Sequence, residues 1–378
     1  MKIAILCDHY PLSPRVIKVR NSILKINNIA DIRVFAWNRE NKKVTEDFVY
    51  TINDKTGYGN KIRKLINLLG FRQKIQIYIQ EFQPDIIHSI DFEMLTIANS
   101  ISKSSGIKII YEVYDIKFFS NPFINLIRKM MERKLLKNNV NGMILASPFF
   151  IEYYQELLET KLSNTIILNN KPSKTINGNF EKNNYIDSQV KKEENAVMIG
   201  FVGTIRYKEI LINLIDTACK FNNIKVLIAG GGPEYKSVKK YVDEKNISTK
   251  VFLTGQYDVS QINDIYNFCD YIWAAYPSKD LNVKYAVSNK FFESMAYGKQ
   301  LIVSKDTLLG DTVEKYSMGY TVNPYEIDSI SKVFQLILNK KNPHNNILKS
   351  NIPDWLTDLY WESEEDNLEI LYKDEYYD

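Results

Sequence analysis

Three short stretches hold residue types that could bind or stabilise charge. In SNKFFESMAYGKQLIVS (288–304) a single carboxylate, Glu293, precedes Gly298 by about one turn on a helix-to-strand pattern. It either holds a ligand or forms the polar face of an ordinary helix. In GFVGTIRYKE (200–209), Gly203 and Thr204 follow an apolar run, with Arg206 and Lys208 just beyond. Two cations at a glycine turn suit a diphosphate, and Arg offers a bidentate fork; a solvated helix start would hold the same residues. In IAGGGPEY (228–235), Gly230, Gly231 and Gly232 let the backbone come close to another group. A tight turn explains that run nearly as well as a phosphate loop. No Gly-Lys-Ser/Thr follows it, and its spacing is not the dinucleotide fingerprint.

Two polar pairs close apolar runs further upstream: His88 with Asp91 in HSID, and Tyr114 with Asp115. Ends of parallel strands are where open α/β sheets bind ligands, although His88 also suits a satisfied structural pair. His9, His88 and His344 join no carboxylate or Cys cluster at ligand spacing, so no metal site is expected. No G-x-S-x-G sequence supports a hydrolase nucleophile.

Positioning these residues requires strands that end where they begin. Apolar, β-rich runs occur at 2–7, 31–37, 85–90, 108–114, 142–147 and 165–170, several separated by helical patterns such as Val16 to Ile26. After a polar stretch at 171–195, containing Pro172 and Gly178 and read as a linker or exposed loop, a second series follows. Its strands are expected at 196–203, 225–232, 251–255, 271–276, 300–304 and 320–324. Alternation of this kind predicts two successive α/β domains with parallel sheets. WLTDLYWESEEDNLEILYK (355–373) has helical spacing and could pack back onto the first domain.

A chain of 378 residues, 45% hydrophobic and 25% charged, can bury two ordinary cores. The 25 tyrosines, with plentiful Asn and Lys, read as an AT-rich coding bias. Cys7, Cys219 and Cys269 are isolated, which fits a reducing cytoplasm. MKIAILCDHYP reads as a first strand, not a signal peptide, and no run of 18 apolar residues spans a membrane.

The net charge of +4 is uneven: residues 1–170 hold 24 Lys and Arg against 16 Asp and Glu. A basic half can face an anionic lipid surface or a phosphate-bearing acceptor, or be merely solvated. Within it, 55–80 carries Lys55, Lys61, Arg63, Lys64, Arg72 and Lys74 and no acid, interleaved with Ile62, Leu65, Ile66, Leu68 and Leu69. This predicts either an amphipathic helix on a membrane surface or a core-facing helix with a basic outside. FSNPFINLIRKMMERKLLKN (119–138) is similar in character and is expected to be a buried amphipathic helix, because a strand follows directly.

Taken together, these segments resemble the GT-B glycosyltransferases, most of all the large retaining family four that uses nucleotide sugars. SPRVIKVRNSIL (13–24) is similar to that family's first loop and helix, and YEVYDI (111–116) to its strand ending in a His-Asp pair. MERKLLKNNVNGMILASPF (131–149), IGFVGTIRYKEILINLI (199–215), GGGPEY and TGQYDVSQINDIYNFCDYIWAAYP (254–277) extend the likeness. NKFFESMAYGKQLIVS is similar to its most recognisable helix, and Trp361 to Tyr372 to the helix that crosses back to the first domain.

The resemblance implies two Rossmann-like domains, 1–170 and 196–354, with parallel sheets facing across a cleft and residues 355–378 crossing back. It implies that Glu293 binds the ribose hydroxyls of a UDP- or GDP-sugar, with Tyr257 at the base. Gly203, Thr204, Gly232, Ser288, Asn289 and Lys290 fall on the donor, while Arg206 and Lys208 neutralise the leaving diphosphate. Pro14, Arg15, His88 and Asp91 fall on the acceptor side, and Tyr114 and Asp115 at the reaction centre. Two positions depart from the family pattern: Tyr285 stands where a Glu is common, and Tyr114 where a His is usual. Sugar contacts are then expected from the Val287–Lys290 loop. The implied activity is sugar transfer with retention to a glycan, lipid-linked or other glycoconjugate acceptor in surface polysaccharide assembly. It needs no cofactor, metal or nucleic acid, and would take place in the cytoplasm or at the inner membrane face. A nucleotide-sugar epimerase and a non-catalytic binding homologue are the alternatives, since fold alone does not choose.

Overall fold

The structure, a computed structural model, describes residues 1–27, 29–53, 61–174, 186, 190, 195–339, 352–356 and 358–373, with backbone alone for 61–69. The chain forms two compact units, Met1–Asn169 with Glu364–Asp378, and Asn170–Ser363.

Unit 1 runs β1 (Lys2–Cys7), α1 (Pro14–Ile23), β2 (Asp31–Asn38), β3 (Val49–Asn53), α2 (Lys61–Phe82), β4 (Ile86–Ile90), α3 (Asp91–Ser105), β5 (Lys108–Val113), α4 (Pro122–Asn139), β6 (Gly142–Leu145), α5 (Phe150–Leu158) and β7 (Thr165–Ile167). Its seven strands pair in the order β3-β2-β1-β4-β5-β6-β7, all parallel. β1, β4 and β5 are buried along almost their whole length, as expected of parallel strands covered on both faces. The edge strand β3 was not anticipated from sequence.

Unit 2 runs β8 (Val197–Val202), α6 (Lys208–Cys219), β9 (Ile224–Ala229), α7 (Tyr235–Glu244), β10 (Val251–Gly255), α8 (Ile262–Phe268), β11 (Tyr271–Ala274), α9 (Leu281–Tyr285), α10 (Asn289–Ala296), β12 (Gln300–Ser304), α11 (Leu308–Lys315), β13 (Gly319–Val322) and α12 (Ile327–Asn339). Its parallel order is β10-β9-β8-β11-β12-β13. Strand order therefore reverses between β1 and β4 in one sheet and between β8 and β11 in the other. Those are the switch points at which a doubly wound sheet leaves a crevice beyond its strand ends.

The stretch expected as a linker contributes to the second core: Ile186 and Val190 pack in one cluster with Met198, Val202, Leu227 and Tyr266. The last helix, α13 (Glu365–Tyr372), belongs to unit 1. Among the described residues, no helix is long and apolar enough to cross a membrane.

The two basic helices reverse part of the expectation. In α2, Phe71, Ile75, Ile79 and Phe82 are buried and Arg72 and Lys74 exposed, the core-facing arrangement. Lys55 and the side chains of Lys61 to Leu69 lie outside the described residues. Helix α4, expected to be buried, instead exposes Phe123, Ile124, Leu126, Ile127, Met130 and Met131. Its inward face is polar at Arg128 and Glu132 and apolar at Leu135 and Leu136. Arg128 pairs with Glu132 and donates to the Tyr153 hydroxyl at 2.7 Å, while Tyr111 and Tyr154 donate to Glu132 at 3.0 and 2.9 Å.

Candidate functional site

The unit 2 switch point is built from glycine turns. β8 is followed by Gly203 (φ 127) and β9 by Gly230 (φ 143) and Gly232 (φ 145), all in the region closed to most L-residues. A Cβ on Gly230 would lie 1.9 Å from the Gly203 carbonyl oxygen, and one on Gly232 2.6 Å from that of Ile205. Backbone bonds from Gly203 N–H to Ala229 and from Ile205 N–H to Gly231, both 2.8 Å, join the two turns. The triple glycine therefore shapes the Gly203 loop by fitting against it. Beyond that loop Thr204, Arg206 and Lys208 are exposed, and neither cation makes an ion pair among the described residues.

Helix α10 carries the other half. Ser288 caps it, accepting from the Lys290 N–H at 3.2 Å. Lys290 is buried and reaches back to the Gly203 turn, where a Cβ would meet its ammonium at 3.1 Å. The ammonium donates to the Tyr276 hydroxyl at 2.6 Å and lies 4.7 Å from the Phe201 ring centre. It has no carboxylate partner among the described residues. Tyr276 is fixed in turn: its N–H donates to Ser304 Oγ at 2.7 Å, and that hydroxyl donates back to its carbonyl at 2.5 Å.

One turn on, half-buried Glu293 accepts from the Tyr266 hydroxyl. Tyr266 stacks on Tyr297, ring centres 4.8 Å apart. Burial first, then the Glu293 charge, pushes the phenols of Tyr257, Tyr266 and Tyr297 well above their ordinary value. Of the three, Tyr266 is the one that donates to the Glu293 carboxylate. Tyr285 is buried with Lys284 above its ring, and Asn289 is exposed at the start of α10. The structure thus gathers Gly203, Lys290 and Glu293 with Tyr257 in one unit. A buried cation, a carboxylate and two exposed cations around a switch point can hold a phosphorylated polyol.

Unit 1 gathers a different set at its own switch point. Asp91 follows β4 with φ 60, an uncommon value for a non-glycine residue. Its carboxylate accepts from the Tyr114 N–H at 2.9 Å and the Asp115 N–H at 3.4 Å. Burial, then the charges of Asp115 and Asp8, push its pKa well up. His9, after β1, lies 2.7 Å from Asp8. Cys7, Asp8 and His9 bring one ligand atom each within 4.8 Å of one another, a grouping the sequence reading did not anticipate.

Arg15 and His88 are buried inside the unit. Arg15 donates to Glu112 at 3.0 and 2.7 Å and to the Leu168 carbonyl at 2.7 Å. His88 donates from Nε2 to Glu112 at 2.8 Å and accepts at Nδ1 from Tyr372 at 2.8 Å. Burial would raise Glu112, but Arg15 and His88 outweigh it and hold the carboxyl below its usual range. The partner of His88 is thus Glu112 rather than Asp91. The Tyr114 hydroxyl is also buried and has no hydrogen-bond partner among the described residues, and its ring lies 4.9 Å from the Arg15 guanidinium. Asp115 and Pro14 are exposed.

Residues 182–355 match the family model described as glycosyl transferases group 1. The matched span lies wholly within unit 2 and includes every residue of the Gly203, Lys290 and Glu293 arrangement. No curated protein matches the chain. Sucrose-phosphate synthase from Thermosynechococcus elongatus superposes with a TM-score of 0.74 at 16% identity, over 98% of both chains. Anabaena HepE in complex with UDP and glucose gives 0.68 at 14%, over 97% of this chain and 98% of that one. UDP-GlcNAc 2-epimerase from Methanocaldococcus jannaschii gives 0.61 at 13%, over 98% and 99%. The likeness establishes the fold, two Rossmann-like units as in GT-B enzymes.

Proposed function

We propose that this protein transfers a sugar from a nucleoside-diphosphate sugar to a glycan or lipid-linked acceptor, with retention, in surface polysaccharide assembly. The observation that carries the reading is helix α10. It sets a buried ammonium, Lys290, against the Gly203 turn and a carboxylate, Glu293, one turn further along. The spacing suits a diphosphate and the two ribose hydroxyls of one nucleotide. Arg206 and Lys208, both exposed at the same loop, would neutralise the leaving diphosphate, the part a divalent cation plays elsewhere. Tyr257 would border the base and the Ser288–Lys290 turn the sugar. HepE holds UDP, which favours a uridine nucleotide. Asp91 and Asp115 would face acceptor hydroxyls, and front-side displacement would leave the protein mainly to stabilise charge.

Glu293→Ala should weaken UDP binding by about 1.5–3 kcal/mol, roughly 10- to 150-fold in Kd, as expected for a lost charged hydrogen bond. Isothermal titration of the folded variant with UDP measures it; unchanged affinity would remove the ribose role. The epimerase likeness sustains a second reading. Product analysis separates the two, because an epimerase converts the donor with no acceptor present.

A further inference from the structure

Helix α4 is turned inside out relative to an ordinary surface helix. Its inward face holds the Arg128–Glu132 pair and three tyrosine hydroxyls, so the polar network fixes which side is hidden. The outward face carries Phe123, Leu126 and Met130, which are 69%, 55% and 63% exposed, flanked by Ile124, Ile127 and Met131. Positions spaced by three and four form one continuous stripe. Monomeric surfaces rarely leave such a row uncovered.

The charge around the stripe indicates what covers it. Glu132 is the helix's one acid and is buried against Arg128. Further along the same outward face, Lys134 and Lys137 are exposed and make no ion pair among the described residues, and Lys129 and Arg133 flank them. An apolar stripe that continues into a row of cations, opposed among the described residues by Glu159 at Arg133, matches an anionic lipid surface, with side chains below the headgroups and ammonium groups among the phosphates.

We propose that α4 docks the protein on anionic membranes by inserting Phe123, Leu126, Ile127 and Met130 into one leaflet. The docking stands independently of the enzymatic reading. With that reading, a lipid-anchored acceptor is its corollary, since α4 follows the Asp115 loop.

Flotation with phosphatidylglycerol–phosphatidylcholine vesicles, without nucleotide, tests it. The intact protein should float with these vesicles, less so in high salt, and little with phosphatidylcholine alone. Phe123→Ser/Leu126→Ser/Met130→Ser should lose at least ~10-fold in partitioning, with an unchanged melting point because these side chains are exposed. Lys134→Glu/Lys137→Glu should lose the anionic preference. An environment-sensitive label on Met130→Cys should shift to the blue on vesicles. A triple variant that floats like the parent, or a label that stays in water, overturns the proposal. So does a dimer in sedimentation that the triple variant dissolves, since the face then serves a second copy. UDP titration of the same variants remains normal whichever result is found.

Discussion

Lys290 is held by a phenol and aromatic faces rather than by an acid, although desolvating an ammonium is costly without a counter-charge. Such a cation is already oriented for an incoming anion. Glu293 stood out in the sequence as the one carboxylate of a plainly patterned helix, while Lys290 came only from the resemblance of that helix to the family's. Tyr276 and Tyr266 were not legible: their partners lie 14 and 27 residues away, and 25 tyrosines hide the few that matter. His9 shows the same limit in unit 1. Hydrogen bonds to Asp8 and Cys7 push its pKa from the ordinary 6.5 up to about 10. A folded value above the unfolded one adds stability in full below pH 6.5, and that contribution fades as pH rises towards 10. The melting-point gap between the parent and His9→Ala should therefore close across that window. The gap should be small, because the ring is partly exposed; a gap constant with pH would remove the pair from the account.

At the scale of elements, the joined glycine turns make a sharp prediction. Gly230→Ala must place a Cβ against the Gly203 carbonyl at a positive φ. It should cost about 2–4 kcal/mol in denaturant unfolding, and UDP affinity should fall with it because the Lys290 seat is displaced. Normal stability would show that the two turns can part freely. The strands could be placed because buried parallel strands are apolar runs, although the expected 165–170 and 225–232 run three residues past the ends of β7 and β9. The missed β3 pairs on one side only and shows a broken pattern, VYTIN. Helix α4 could be read as a helix but not for direction. Periodicity gives two faces, and which one is hidden depends on Tyr111, Tyr153 and Tyr154, contributed by other elements.

For the whole molecule, the decisive contacts of unit 1 include residues from the far end of the chain. Glu364 accepts from the Asn169 N–H at 2.9 Å, and Ser22 donates to Glu365 at 2.8 Å. Leu368, Leu371 and Tyr372 are buried. Ending the chain at Ser363 removes three buried side chains at about 1.5–3 kcal/mol each, and leaves His88 Nδ1 without its donor. Hydrogen exchange should then speed up across β1, β4 and β5 while unit 2 still binds UDP. Retained protection in those strands would make α13 an accessory.

That dependence bears on how the protein is made. Asn169 leaves the ribosome 195 residues before Glu364, an interval of about 10–40 s at ordinary elongation rates. Through that interval the seven-stranded sheet exists without its closing helix, with the seat for Tyr372 open. Unit 1 therefore cannot complete its fold until the whole of unit 2 has been made.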